Sequence, residues 1–357
     1  VEASSGRHKE TLDLDTGRTL FEFHYDEDGR LSAISDRFGN RMTLERNAEG
    51  AVTAIVSPHG VRTHLTVDEQ NHLVGIRYPD GGEYRFEYSP EGYLLSKTDP
   101  EGNRFEHKYS PFGKLLEVSD EGGGRWMYTK YGETDGQVAT EVISAEGDKR
   151  VYRDLESSTG AYSSTITDSA GDVTTFESSA DGLWAAKCLP CGTEVTFGYG
   201  LDPLYGFQYI RQRRERLPSG LERAVLREHI YEDRDEDEVA DRIIRSVTVN
   251  GKTVTLEENL LQSVRILTRP SGRTVEERYH PNTLLTLKRQ VPGLHDTFFD
   301  YDIKGRLTSV TIGTRTTSLT YDDQGNLASI TDPLGRRTAY EYDPVGRLVA
   351  VHKPDGG

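Results

Sequence analysis

Two stretches far apart in the chain read almost alike: Tyr25-Asp26-Glu27-Asp28-Gly29-Arg30-Leu31 and Tyr342-Asp343-Pro344-Val345-Gly346-Arg347-Leu348. A companion signal, Asp-Pro-x-Gly, stands at Asp99-Pro100-Glu101-Gly102 and at Asp332-Pro333-Leu334-Gly335. Each puts Asp at turn position i and Gly at i+3, often with Pro at i+1. That is type I turn chemistry, with the glycine free to leave in the left-handed conformation.

The turns recur on a fixed period. Tyr25, Arg46, Val67, Tyr88 and Tyr109 are 21 residues apart. So are Gly29, Gly50, Asn71, Gly92 and Gly113, and so are Gly39, Gly60, Gly81, Gly102 and Gly123. The phase returns at Tyr301, Tyr321 and Tyr342, with Gly305, Gly325 and Gly346 behind them. Two turns per 21 residues leave strands of about six or seven residues, roughly 20 Å long, so each unit is one β-hairpin.

Strand alternation agrees. Glu83-Tyr84-Arg85-Phe86-Glu87-Tyr88 is aromatic on one face and charged on the other, the pattern of a half-buried strand. Phe21, Phe23 and Tyr25 share one face, as do Phe105, His107 and Tyr109, where packing is the expected role of His107. One hairpin alone is marginal in water, so the units must stack. One detail conflicts with this scheme. The strand after the glycine is apolar at Gly+2 (Leu31, Leu94, Leu307, Leu348) and at Gly+5 (Ile34, Val118, Val310, Val351). Three residues apart means opposite faces unless a bulge intervenes.

The expected fold is therefore all-β: an array of hairpin repeats of about 21 residues stacked into a long curved antiparallel sheet. The repeats are clear over 20–123 and 296–357 and divergent over 124–295, where Gly171 and Gly192, then Gly251, Gly272 and Gly293, keep the step. Residues 1–357 read as one continuous array, and as a piece of a longer protein. Gly122-Gly123-Gly124 reads as a broken repeat turn. Seventeen unit lengths fill 357 residues. That array is expected to be too short to close around cargo, leaving a curved, open sheet with exposed edges at both ends.

Composition supports many short strands. Gly numbers 36, Tyr 19 and Phe 11, and hydrophobic residues make up only 34% of the chain. The net charge of −16 disfavours nucleic acid and anionic bilayer surfaces as partners. No run approaches the roughly 18 apolar residues of a spanning helix, so membrane insertion by this segment is not expected.

Together, Tyr-Asp-x-x-Gly-Arg-Leu and Asp-Pro-x-Gly resemble the Rhs/YD-repeat family, which includes bacterial Rhs effectors, shell components of insecticidal toxin complexes, wall-associated surface proteins and teneurins. The middle resembles it too, at Asp202-Pro203-Leu204-Tyr205-Gly206, Leu217-Pro218-Ser219-Gly220-Leu221 and Val249-Asn250-Gly251-Lys252-Thr253. The resemblance implies a ribbon wound into a hollow β-shell that commonly encloses a C-terminal toxin or serves as an extracellular scaffold. It also implies a secreted or cell-surface location. Many Rhs cores end in an aspartyl self-cleavage element, Arg-Tyr-Tyr-Asp-Pro-x-x-Gly-Arg-Phe followed by a second Asp-Pro. Here residues 342–348 give the first half only, and Lys353-Pro354-Asp355-Gly356 is an ordinary repeat turn. The protease residues are not carried over.

No catalytic, cofactor-binding or metal residue is expected, and no cofactor. Cys188-Leu189-Pro190-Cys191 sits where other repeats carry Asp-Pro-x-Gly and reads as a plain turn, with a local oxidised clip as the alternative. Glu232-Asp233-Arg234-Asp235-Glu236-Asp237-Glu238 lacks the Gly and Glu that a calcium loop needs at 238 and 244, where Glu238 and Ile244 stand. It reads as a solvated acidic loop, expected to face Arg211, Arg213, Arg214 and Arg216 across neighbouring strands. No H-E-x-x-H or G-x-S-x-G occurs.

Two functions from different classes remain. One is a structural wall segment of an exported bacterial shell that encloses or displays a C-terminal, toxin-like polypeptide. The alternative is a surface adhesin that binds glycans or proteins through exposed aromatic columns, and an enzyme of carbohydrates stands behind both. The partners expected are neighbouring repeats of the parent chain and an enclosed domain or surface glycan.

Overall fold

A computed structural model describes residues 6–132, 138–233 and 240–355. Among them are thirty-one strands and no helix. Each strand pairs antiparallel with the next, from Glu10–Leu12 at one end to Leu348–His352 at the other, so the chain is one meandering ribbon. No pairing joins the last strand to the first among the described residues, and the sheet is not closed as a barrel.

The turns share one chemistry. In the turn 26–30, the Asp26 N–H donates to the Arg30 carbonyl at 2.9 Å and the Gly29 N–H to the Asp26 carbonyl at 2.9 Å. Asp26 Oδ1 also accepts the Arg30 N–H, and Oδ2 takes the Arg30 guanidinium at 2.9 Å. Arg306, Arg336 and Arg347 repeat this contact with Asp302, Asp332 and Asp343 at 2.6–2.7 Å. Asn40, Asn103 and Asn326 do the same from an amide. Gly29 sits at φ 76° and Gly102 at φ 92°. Where the column lacks glycine, Asn71 takes φ 65°, the non-glycine type that tolerates this region best. Gly122-Gly123-Gly124 is not a broken turn: Asp120 closes on Gly124 at 2.9 Å with Gly123 at φ 91°.

A bulge resolves the conflict between Gly+2 and Gly+5. His24 pairs with Ala33 and Tyr25 with Leu31, so Ser32 is skipped. The same step occurs at Tyr88 with Leu94, Tyr301 with Leu307 and Tyr342 with Leu348. The extra residue rotates the strand, so that Leu31 and Ile34 both lie on the face of Tyr25 and Phe23.

The ribbon is a single layer. Its accessible surface of 22405 Å² compares with about 14,000 Å² expected for a globular protein of this length. Among the described residues no central core holds it, and Ile243 is the largest fully buried side chain. On the polar face, positions four after the glycine form a column of small residues: Ala33, Ala54, Gly75 and Ser96, then Ser329. The side-chain-bearing members are at most 2% exposed, because longer polar side chains from both flanking strands close over them, as Glu87 does over Ser96 at 2.8 Å.

What replaces a core is a bracket between consecutive repeats. The hydroxyl of Tyr88 donates to the Leu73 carbonyl at 3.0 Å, that of Tyr301 to Thr286 at 2.9 Å and that of Tyr321 to Leu307 at 2.8 Å. Where Arg46 holds the tyrosine position, it reaches Leu31 at 3.1 Å and Gly50 at 2.8 Å. At three of these tyrosines the ring lies against the residue that follows the left-handed residue of the previous turn: His72 on Tyr88 at 4.8 Å, Tyr93 on Tyr109 at 5.1 Å, and Arg306 over Tyr321 at 4.6 Å. Tyr-Asp-x-x-Gly-Arg is thus the specification of a joint. Its Asp fixes its own Arg, and that Arg stacks on the next Tyr.

Candidate functional site: the seam between successive passes

The ribbon has two margins, formed by alternate turns. Turns at 13–18, 36–40, 57–61 and 78–82 lie on the first margin; those at 302–306, 322–326 and 343–347 lie on the second. These margins meet. The Phe38 ring lies 2.7 Å from the point where a Cβ on Gly305 would stand, and the His59 ring lies against the same point of Gly325. Arg347 Nη2 reaches Asp80 Oδ2 at 2.8 Å. Phe38, His59 and Asp80 each immediately precede a turn glycine. Each meets a turn that follows 23 strands later, so the contact advances one repeat at a time on both sides. Asn40 adds a bond to the Lys304 carbonyl at 3.2 Å, and Arg37 one to Thr283 at 2.9 Å.

The array therefore comes round on itself along its margins, while its sheet is open with an unpaired strand edge at each end, as expected. At roughly 4.8 Å per strand, 23 strands span about 110 Å, a ring at least about 35 Å across, which strand tilt widens further. The sheet stays open in its hydrogen bonding while its margins close side by side.

Ahead of this 23-strand register, a buried polar cluster fastens the first turn of the ribbon to a turn 17 strands on. The turn carboxylate of Asp202 is fully buried. Its Oδ1 accepts the N–H groups of Leu204 and Tyr205 at 3.1 and 3.0 Å. Its Oδ2 accepts His229 Nδ1 and the Tyr231 hydroxyl, both at 2.8 Å. Burial pushes this carboxyl up, but the Tyr205 amide, His229 and Tyr231 outweigh it and hold it at about 2. The Tyr205 hydroxyl, which burial pushes up to about 12, then donates across the seam to the Leu14 carbonyl at 2.7 Å. Beside it Arg245 reaches Asp15 at 2.6 Å. Burial opposes the Arg245 charge, yet Asp15 raises its pKa above the ordinary value. An imidazole oriented by a buried carboxylate is a familiar catalytic element; here the His229 ring stacks on Tyr209 at 4.4 Å, and among the described residues no nucleophilic side chain bonds to it. The cluster fastens turn 202–206 to the first turn of the ribbon.

The other sequence candidates fall away from this seam. Cys188 ends a strand and Cys191 lies in the turn 189–193, both exposed and free. Hydrogen bonding with Thr193, whose hydroxyl oxygen lies 3.2 Å from Cys191 Sγ, holds the Cys191 thiol below its ordinary pKa. The expected facing of arginines and the acidic run is not what the described residues show. Arg213 pairs with Glu215 at 3.1 Å and Arg214 with Glu222 at 4.0 Å, while Glu232, at the far end of its strand, takes Arg242 at 2.6 Å. Residues 234–238 of the run lie outside the described residues. His107 packs opposite Val118 with Nδ1 buried. The seam itself went unseen in the sequence; its one trace is that Phe38, His59 and Asp80 occupy a single repeat position.

A one-layer ribbon whose repeats bracket one another and whose margins meet defines a wall-forming YD-repeat shell. Residues 3–357 match the family model for the teneurin YD-shell, and the chain belongs to that family. Its role in that family is structural. No curated protein sequence matches. Among solved structures, the chain is similar to one described as TcdB2-TccC3-TEV, with 14% identity, 96% of this chain and 23% of that one covered, and a TM-score of 0.44. It is also similar to the Photorhabdus luminescens Tc holotoxin pore, with 16% identity, coverage of 96% and 19%, and a TM-score of 0.45. The chain spans less than a quarter of the length of either.

Proposed function

We propose that this segment is the wall of an exported shell that encloses or displays another polypeptide of its parent protein, and that it contributes enclosure rather than catalysis. The observation that carries this reading is the seam. A ribbon that only curved would shield one side of a partner; one that meets itself after 23 strands bounds an interior. With side chains taking about 5 Å from each wall, that interior is at least about 25 Å wide. A folded domain of about 50 residues, with a radius of gyration near 10 Å, fills such a space, and the widening by strand tilt admits a larger one. Family membership supports an extracellular setting, and no helix among the described residues is long and apolar enough to cross a membrane.

Limited proteolysis of the full-length parent tests the proposal. Its region downstream of residue 357 should resist protease in the intact protein and become sensitive when Gly325→Arg wedges the seam open. Cleavage at the same rate with and without that substitution, or a parent with no such region, would overturn it.

A further inference from the structure

The seam joins the first margin of the early pass to the second margin of the late pass, and two stretches of margin are left over. One is the second margin of the early pass, with turns 26–30, 47–51, 68–72 and 89–93. The other is the first margin of the late pass, with turns 269–273, 291–294, 312–315 and 332–336. Among the described residues no hydrogen bond or ion pair from another pass reaches either stretch.

Their charges are opposite and share one period. The early stretch carries an exposed glutamate on each turn: Glu27, Glu49, Glu69 and Glu91. None of them has an ion-pair partner among the described residues, while Arg30 and His72 on the same turns are taken by Asp26 and Asp68. On the late stretch Arg269 and Arg273, then Arg315 and Arg337, are exposed and unpaired among the described residues, with His295 beside the turn between them. The acids there are committed, Asp296 to Lys288 at 2.8 Å and Asp332 to Arg336 at 2.6 Å. A repeat of two strands sets the step of both ladders at about 10 Å. In a chain with 59 acidic and 43 basic residues, this edge of arginines is left without an acceptor of its own.

Shape agrees with charge. In the seam Phe38 of a first-margin turn lies against Gly305 of a second-margin turn, and the contact advances one repeat at a time in the same direction on both sides. Leu334 holds the Phe38 position of its own turn, is 78% exposed and stands beside open space at Gly335. The late first margin is thus one half of a seam without its complement, and the early second margin is built of the complementary kind of turn. A second copy brings the two together by repeating the contact that the chain already makes with itself.

We infer that the late first margin of one copy docks on the early second margin of another, the arginine ladder meeting the glutamate ladder. The contact is head-to-tail, so a docked pair still offers both margins and stacking continues instead of closing at a dimer. The inference rests on the seam and not on what the shell encloses.

Sedimentation of the chain at low salt tests it. The average mass should exceed that of the monomer at about 0.1 mM chain, a concentration that reveals weak specific contacts, and should keep rising with concentration. Salt at about 0.5 M should return the chain to monomer, because exposed pairs are screened. Glu49→Lys with Glu91→Lys, or Arg273→Glu with Arg315→Glu, should each leave it monomeric at an unchanged melting temperature, since all of these side chains are exposed. An equimolar mixture of the two variants should associate again, because the late margin of the first and the early margin of the second are unaltered. The inference is overturned if the chain stays monomeric at low salt, which would leave the ladders to further passes of the same ribbon. It is equally overturned if the mass stops at a dimer, if either variant associates as well as the parent, or if the mixture stays monomeric.

Discussion

Arg347 and Asp80 are 267 residues apart in sequence and 2.8 Å apart in space. Arg347 also holds Asp343 of its own turn at 2.6 Å, so one guanidinium ties a turn together and joins it to the previous pass. The arginine side chain is 68% exposed, and exposed pairs contribute little, about 0.2–1 kcal/mol. A double-mutant cycle with Arg347→Gln and Asp80→Asn should therefore give a coupling below about 1 kcal/mol that shrinks with added salt. Denaturant titration measures it. A coupling of several kcal/mol would mean the seam rests on this pair, which the account does not allow.

Steric fit at the seam should matter more than its charges. Gly325 and Gly335 have nearly the same φ, 84° and 79°, but a Cβ meets His59 at Gly325 and open space at Gly335. Gly335→Ala should cost about 1–2 kcal/mol from backbone strain alone. Gly325→Ala should cost more, and His59→Ala should return it to the Gly335→Ala level. Thermal melts of the four proteins decide the matter; equal losses at both glycines would remove the seam contact from the energetics.

The repeat bracket predicts a uniform effect along the ribbon. Tyr88→Phe and Tyr321→Phe each leave one carbonyl, of Leu73 or Leu307, without its donor. Each should cost about 0.5–1.5 kcal/mol, the usual net value of such a bond. Arg46→Ala removes two carbonyl contacts and should cost at least as much. Denaturation midpoints check this series, and neutral tyrosine variants would show that stacking alone makes the joint.

How far these joints could be read in advance depended on their range. The turns were legible because Asp26, Gly29 and Arg30 act within five residues. The bulge was legible as a contradiction: Leu31 and Ile34 were both apolar although simple alternation sets them on opposite faces. The column of Ala33, Ala54, Gly75 and Ser96 stands in the sequence without an apolar periodicity to mark it, since small residues contribute little hydrophobic contrast. The seam was not legible at all. Whether Phe38 meets Gly305 depends on curvature summed over 23 strands, and no local pattern encodes that sum. The long strands Gln208–Arg216 and Glu222–Glu232 lie in the stretch where the repeat is divergent in sequence, yet the second of them carries His229 and Tyr231 to Asp202.

The Asp202 cluster makes acid stability a readout of the seam. Its carboxyl lies at about 2 in the folded chain against an ordinary 3.8. A depressed carboxyl stabilises fully above its unfolded value, and that contribution is lost as pH falls through the folded one. The loss should fall between about pH 4 and pH 2 and amount to about 2 kcal/mol. Asp202→Asn should be less stable at neutral pH and flatter across this window. Urea midpoints from pH 2 to 7 test it, and parallel profiles for both proteins would remove Asp202 from the account.

The claim on which the rest depends is that the ribbon meets itself in a fixed register. Cysteines in place of Asp80 and Arg347, with Cys188 and Cys191 changed to serine, can be joined by a short bismaleimide and followed on a gel. A fixed register gives rapid intramolecular linkage in the monomer, and little when the second cysteine replaces Asn326, one repeat earlier. Equal linkage of both pairs, or linkage only between molecules, would contradict it.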